Sequence, residues 1–307
     1  MVFTDTYPQP DAPDPVLDEH AVWEAARRHA PQAGRLLEVD ESGGEARAYH
    51  LEGNIVLKTQ RPHRLRPRTS LAKEELVLRT LEREGGFPVP SVLGYGHIEG
   101  IEYLCLTRMP GTTMRHAELS PSQRAAALEE LGRTVRRIHE IDQSPLATSE
   151  LMPGDRTPAD LPARFADTFE RLADALERTD GWDDALDVRA IAARLHAHTP
   201  TNVNPVALHS NPGPEHTFVQ AEGGSFSGLI DFGDAYRSHP ALDLRPWDNE
   251  TDARNLLAGY RSLGPLPDGF EHVRRTGLVI MALARAARGT RTRQETIAAV
   301  ERLLEVQ

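Results

Sequence analysis

Between Val206 and Leu244 the chain reads VALHSNPGPEHTFV, then a short Gly/Ser-rich turn, then SGLIDFGDAYRSHPALDL. The order is strand, polar loop, strand, turn, strand, ending abruptly in Asp-Phe-Gly. An apolar run that stops at a carboxylate puts Asp231 at a strand end. There it can bridge a metal to phosphate oxygens, or it can cap a turn with Gly233 as the left-handed residue. The polar loop gathers His209, Asn211 and His216 within eight residues of one another, and Pro212 stiffens it by removing an N–H and pushing Asn211 towards extended backbone.

The rest of the chain is organised around this stretch. Residues 1–16 are polar and Pro-rich and read as a mobile N-terminal arm, without the positive and apolar regions of a signal peptide. Residues 17–108 begin with a helical pattern, pass through short runs split by Gly43-Gly44 and Glu52-Gly53-Asn54, and continue as an amphipathic helix, TSLAKEELVLRTLERE. Two strands follow, around a turn at residues 97–100. From 109 to 307 the chain is mostly helical apart from the Val206 stretch; Leu128, Leu131, Val135 and Ile138 form one apolar stripe. The fold class is therefore α+β in two lobes: a small mixed N-lobe with an antiparallel sheet and one main helix, and a large, mostly helical C-lobe.

Of 307 residues, 46 are acidic and 35 are Lys or Arg, a net charge of −11 that argues against a nucleic-acid surface. The same balance suits a cationic ligand, though solubility alone accounts for it. The single cysteine, Cys105, lies in an apolar run and cannot form an intrachain disulfide, which fits a reducing, cytoplasmic setting. No segment has the apolar length of a membrane span.

Lys58 ends the apolar run Ile55-Val56-Leu57, follows the Gly43-Gly44 turn, and precedes a helix bearing Glu74 and Glu75. Taken alone it is an ordinary edge lysine. Taken in order with the His209 loop and Asp231, these residues resemble the aminoglycoside phosphotransferase and choline kinase superfamily, over roughly residues 30 to 265. The resemblance implies a protein-kinase-like fold in which Lys58 holds nucleotide phosphates and Glu74 orients its ammonium, with Glu75 as the alternative. It implies that Gly43 and Gly44 belong to the nucleotide loop, although any hairpin can use such glycines for positive φ. It also implies that Thr107 and Met109 flank the lobe linker, where backbone groups hold the purine; the bland reading is a Pro-Gly turn at Pro110-Gly111. The cofactor implied is ATP or GTP with Mg²⁺.

Two letters depart from the family pattern. The family loop usually reads His-Gly-Asp, with an Asn five residues after the Asp; here Asn211 stands at the base position and His216 at the second metal position, while His209 keeps its place. A carboxamide can orient a hydroxyl but is no base near neutral pH. Imidazole suits later divalent metals, so His216 points to Mn²⁺ serving at least as well as Mg²⁺; the alternative is a histidine bonded within its loop. Asp231 is the expected metal ligand, and Asp243 is expected to brace the loop. Asp234, Asp248, Glu250 and Asp252, with Tyr236 and Trp247, would line a cleft for a small-molecule acceptor, possibly a cationic one, or else form a solvated helix start. The expectation is a slow or altered phosphotransferase acting on a small-molecule hydroxyl. The alternatives are a pseudokinase working through a protein partner, and the fold reused for another reaction.

Overall fold

In Ala46–Leu51 and Ile55–Gln60 burial alternates residue by residue, the signature of a strand with one face in a core. Ile55 and Leu57 point one way and Val56 and Lys58 the other. That parity, set by three apolar residues, puts the lysine on the opposite sheet face from the Ile55–Leu57 cluster. The structure, a computed structural model, describes residues 7–179, 182, 186–245, 247 and 249–305.

Five strands form the first sheet: β1 (Leu36–Asp40), β2 (Ala46–Leu51), β3 (Ile55–Gln60), β4 (Val92–Ile98) and β5 (Ile101–Thr107). Every pairing is antiparallel and the order is β1-β2-β3-β5-β4. Helix α1 (Glu19–Arg27) covers one face, packing Val22, Ala25 and Ala26 against Tyr49, Ile55, Leu57 and Cys105. Burial pushes the Cys105 thiol up to about 12, so it behaves as an inert core residue. The other face, through Val92, Leu104 and Leu106, joins a second core shared with α2 (Leu71–Glu84) and the C-lobe. Ser70 caps α2 by accepting from the Lys73 amide.

The end of the expected arm is tied down: Asp14 pairs with Arg47 and Arg61 at 3.0 and 2.8 Å. The larger lobe contains β6 (Thr112–Thr113), α3 (Pro121–Glu140), α4 (Ser144–Ala147), α5 (Asp160–Glu177), α6 (Val188–His196), β7 (Val206–Leu208), β8 (Thr217–Val219), β9 (Phe226–Leu229), β10 (Tyr236–Ser238), α7 (Glu250–Arg261), α8 (Phe270–Ala287) and α9 (Arg293–Glu305). A Ser120–Gln123 capping box starts α3, and Leu128, Leu131, Val135 and Ile138 are all buried. Helices α3 and α7 approach so closely that a Cβ on Gly132 or Gly259 would overlap a backbone carbonyl of the other helix, Leu256 or Glu129. Among the described residues no helix is long and apolar enough to cross a membrane.

The molecule is thus a bilobal, protein-kinase-like α+β fold: a small antiparallel N-lobe with its main helix, and a helical C-lobe. Strands β7 with β10, and β8 between β6 and β9, present the polar loops at the junction of the two lobes.

Candidate active site

Three charged side chains from three elements meet at the cleft. Lys58 Nζ, on β3, donates to Glu74 Oε2 of α2 at 2.6 Å and to Asp231 Oδ1, just past β9, at 2.9 Å. Glu74 is selected over its neighbour by helical phase. It shares the buried stripe of Leu78 and Leu81 at i+4 and i+7, while Glu75 lies 3.5 Å from Arg79 on a less buried side. Burial pushes the Glu74 carboxyl up, against the pull of Lys58. Burial also opposes ionisation of Lys58, but Asp231 and Glu74 outweigh it and hold the ammonium above its ordinary range. Desolvation raises Asp231 too; Lys58 and then His216 overcome that and keep the carboxyl well below the carboxylate range. Asp231 sits at φ +71°, a costly conformation for a non-glycine residue, and its side chain keeps 40% exposure, open to the cleft.

The loop from His209 to His216 folds around one carboxylate. Asp243 is fully buried and accepts from the His209 and Ser210 amides, both at 2.7 Å, and from His139 Nε2 at 3.0 Å. Tyr260 hydroxyl lies 2.9 Å from the other nitrogen of His139, which accepts from it. His209 Nε2 donates to Ile230 O at 2.8 Å, and its Nδ1 accepts from the Asn211 amide at 3.2 Å. This fixes one neutral tautomer, and burial lowers the His209 pKa to about 4.

His216 faces Asp231. Its Nδ1 donates to Asn211 O at 2.8 Å, and its Nε2 lies 3.2 Å from Asp231 Oδ2. A proton on Nε2 makes this an ion pair; a divalent cation replacing that proton would find a nitrogen and a carboxylate oxygen facing each other. No group of three His, Cys, Asp or Glu side chains gathers for a metal among the described residues, so a cation here would need oxygens from a bound substrate as well. The Asn211 side chain is exposed and has no hydrogen-bond partner among the described residues. Trp247 Nε1 donates to Pro212 O at 3.0 Å and pins the loop behind it.

The model of the "Phosphotransferase enzyme family" matches residues 36–247, more than half of the chain. The chain belongs to that family. The match runs from β1 past the His209 loop and Asp231, so it includes every element that builds the cleft. No curated protein matches the chain. Among solved structures, the GDP complex of wild-type aminoglycoside 2′-phosphotransferase-IIIa is 16% identical, with a TM-score of 0.64 over 94% of this chain and 98% of that one. Macrolide 2′-phosphotransferase MphH from Brachybacterium faecium is 20% identical, with a TM-score of 0.62 over 94% and 99%. The streptomycin–ATP ternary complex of APH(2″)-IIa is 18% identical, with a TM-score of 0.61 over 95% and 98%. At these identities the likeness is one of fold.

Other expected residues of this phosphotransferase-family cleft fall as follows. Thr107 closes β5; its amide donates to Ser91 O, and its hydroxyl accepts from the Ser91 amide at 2.8 Å. The Arg108 amide is taken by Asn54 O, so Met109 carries the linker peptide with no partner among the described residues. Gly43 and Gly44 do not adopt positive φ; the turn that needs it is Gly53-Asn54, at +90° and +60°. The hairpin carrying Gly43 and Gly44 is instead held by arginines. Arg61 donates to Glu41 O and Gly43 O, and Arg66 bridges Glu45 to Asp234 across the cleft.

The acids expected to line an acceptor cleft do not converge. Asp234 is engaged by Arg66 and Thr69, Asp252 is buried against Arg124 at 2.6 Å, and Glu250 is exposed at the start of α7. Asp248 lies outside the described residues. Sequence reasoning missed His139 and Arg66. The first carried a signal, a histidine on the apolar face of α3 directly after Ile138. The second lies in an arginine-rich loop whose partners are 21 and 168 residues away.

Proposed function

We propose that the protein transfers the γ-phosphoryl group of ATP or GTP to a hydroxyl of a small molecule in the cytoplasm. The observation that carries this reading is the convergence of Lys58, Glu74, Asp231 and His216 beside an exposed, unpartnered Asn211. Lys58, oriented by Glu74, would neutralise phosphate oxygens, and the free Met109 peptide would receive the purine. Asp231 and His216 would hold Mg²⁺ or Mn²⁺. When bound, the cation neutralises charge on the β- and γ-phosphates. Asn211 would orient the acceptor hydroxyl through its amide oxygen without taking its proton.

Positioning and charge neutralisation dominate phosphoryl transfer, so the missing base predicts a slow enzyme and not an inert one. Asn211 also favours a second reading, a pseudokinase that binds nucleotide and acts through a protein partner. A cationic acceptor would have to compete with Arg66 and Arg124 for the nearby acids.

Calorimetric titration with ATP and GTP, each with Mg²⁺ and with Mn²⁺, tests the nucleotide site. Metal-dependent binding is expected, at least as tight with Mn²⁺, and weakened tenfold or more in Lys58→Ala and Asp231→Ala. No binding under any of these conditions would overturn the phosphotransferase reading. Turnover of an added alcohol, followed as nucleoside diphosphate release, separates the enzyme from the pseudokinase.

A further inference from the structure

Beside the catalytic loop, arginines from three segments gather on one tyrosine. Tyr236, on β10, pairs with Leu208, the residue before His209, and follows Asp231 by five positions. Arg68 lies over its ring at 5.1 Å and Arg164 of α5 at 5.8 Å, while Arg245 donates to its hydroxyl at 3.3 Å. Lys73 of α2 is fully buried and donates to Arg68 O. The loop carrying Arg68 is tied to the metal-aspartate segment by the Ser70 amide, which donates to Gly233 O at 3.2 Å.

Arg68 is opposed by Arg164 and Arg245, and Lys73 by Arg68, and burial strengthens such repulsion. Of these cations only Arg164 has a carboxylate partner among the described residues. Asp155 is taken up by Arg164, which bonds both its oxygens at 2.6 and 2.9 Å, and Asp234 by Arg66 and Thr69. The side chains of Arg68 and Arg245 have no carboxylate partner among the described residues. The Lys73 ammonium has three N–H donors and one acceptor among them. Burial first, then Arg68 and Arg66, lowers Lys73 to about 8 despite the pull of Asp234. Burial likewise lowers Arg68. Arg68 is only half-buried, so the cluster has a face towards solvent.

We infer that Arg68 and Arg245, which meet on Tyr236, with Lys73 behind Arg68, form an anion subsite that receives a carboxylate or phosphate group carried by the acceptor alcohol. The inference rests on the phosphotransferase reading above and narrows its substrate class to small anionic alcohols. An oxyanion would supply the missing counter-charge and use the Arg68 fork, with the buried Lys73 ammonium as a second positive charge behind it. Its hydroxyl would extend from there towards Asn211.

The test is calorimetry on the full chain at low ionic strength, with the nucleotide site filled by a non-hydrolysable ATP analogue and Mn²⁺. The titrants are inorganic phosphate, glycerol 3-phosphate, glycerate, glycerol and a polycationic amino sugar. The expected result is binding of the anions and not of glycerol, weakened tenfold or more in Arg68→Ala and in Lys73→Met, with affinity for the nucleotide analogue unchanged. Glycerol 3-phosphate binding above inorganic phosphate assigns a phosphorylated alcohol, and tighter glycerate assigns a carboxylated one. The inference is overturned if no anion binds while nucleotide does, if both variants bind anions as the parent does, or if the amino sugar binds more tightly than every anion. If nucleotide itself does not bind, the phosphotransferase reading falls, and the same titrations on the nucleotide-free chain still decide whether the subsite exists.

Discussion

At the scale of single residues, rate and stability are separable in the loop from His209 to His216. Asn211 offers an exposed amide oxygen where a proton acceptor would speed transfer. Asn211→Asp is expected to raise turnover by about 10²–10⁴-fold, the usual worth of general-base catalysis. The added carboxylate lies near Asp231 and the phosphate site, so nucleotide affinity should fall by a few-fold at the same time. Steady-state rates with separate nucleotide titration check both, and unchanged turnover would count against the role given to Asn211. Its neighbour Ser210 adopts φ +84°, a region that glycine enters without a Cβ penalty. Ser210→Gly should therefore relieve strain, offset in part by the greater freedom of glycine in the unfolded chain. A net gain of about 0.5–1 kcal/mol is expected, read from denaturant midpoints.

At the scale of elements, the loop is held from behind by two helices. His139 on α3 and Tyr260 on α7 reach Asp243 as a chain of hydrogen bonds, and the crossing that aligns them depends on Gly132 and Gly259. Gly259→Ala would drive a methyl into the Glu129 carbonyl; overpacking of this kind costs about 1–3 kcal/mol. Because Tyr260 is the next residue, the displacement should also reach Asp243 and the His209 amide. Turnover should then fall further than nucleotide affinity does, which a paired unfolding and binding experiment would reveal; loss of stability alone would mean that the brace tolerates the shift. Periodic elements of this kind were legible in the sequence. Turn signals at Gly43-Gly44 and Glu52-Gly53-Asn54 bound β2 and β3, the 3.6-residue stripe marks α3, and the family spacing to Leu78 and Leu81 favours Glu74 over Glu75. Contacts without a period were not legible. Nothing in the order of residues pairs Asp14 with Arg61, or Arg66 with both Glu45 and Asp234. The Gly43-Gly44 pair shows the other limit: a glycine signals that a turn is permitted, while the positive φ is used at Gly53 and Asn54.

At the scale of the whole molecule, the C-lobe is built around imidazoles that must stay neutral to keep their hydrogen bonds. His209 and His239 are both buried and neutral. Burial lowers each to about 4, against 6.5 for an unfolded histidine. The neighbours of His209 act in both directions, His216 lowering its pKa and Asp243 and Asp231 raising it, and desolvation prevails. His239 donates from Nε2 to Asp268 O and accepts the Ala241 amide at Nδ1, so neither nitrogen is left for a second proton. A folded pKa below the unfolded one means that the unfolded chain takes up protons first. The stability these groups give is complete above about pH 6.5 and is lost as pH falls towards 4. Each should cost about 2 kcal/mol between pH 7 and pH 5, a large share of the 5–15 kcal/mol that holds a typical domain together. Asp243, whose carboxyl burial raises but whose bonds to His139 and His209 hold below its ordinary value, adds to the loss at still lower pH. Denaturant unfolding at half-unit steps from pH 7.5 to 4.5 should show a midpoint that falls steeply below 6.5, with the slope roughly halved in His239→Gln. A midpoint that stays level down to pH 5 would mean that both imidazoles take up a proton as readily in the folded protein as in the unfolded chain, and the single tautomer drawn for His209 could not then be the one that supports the loop.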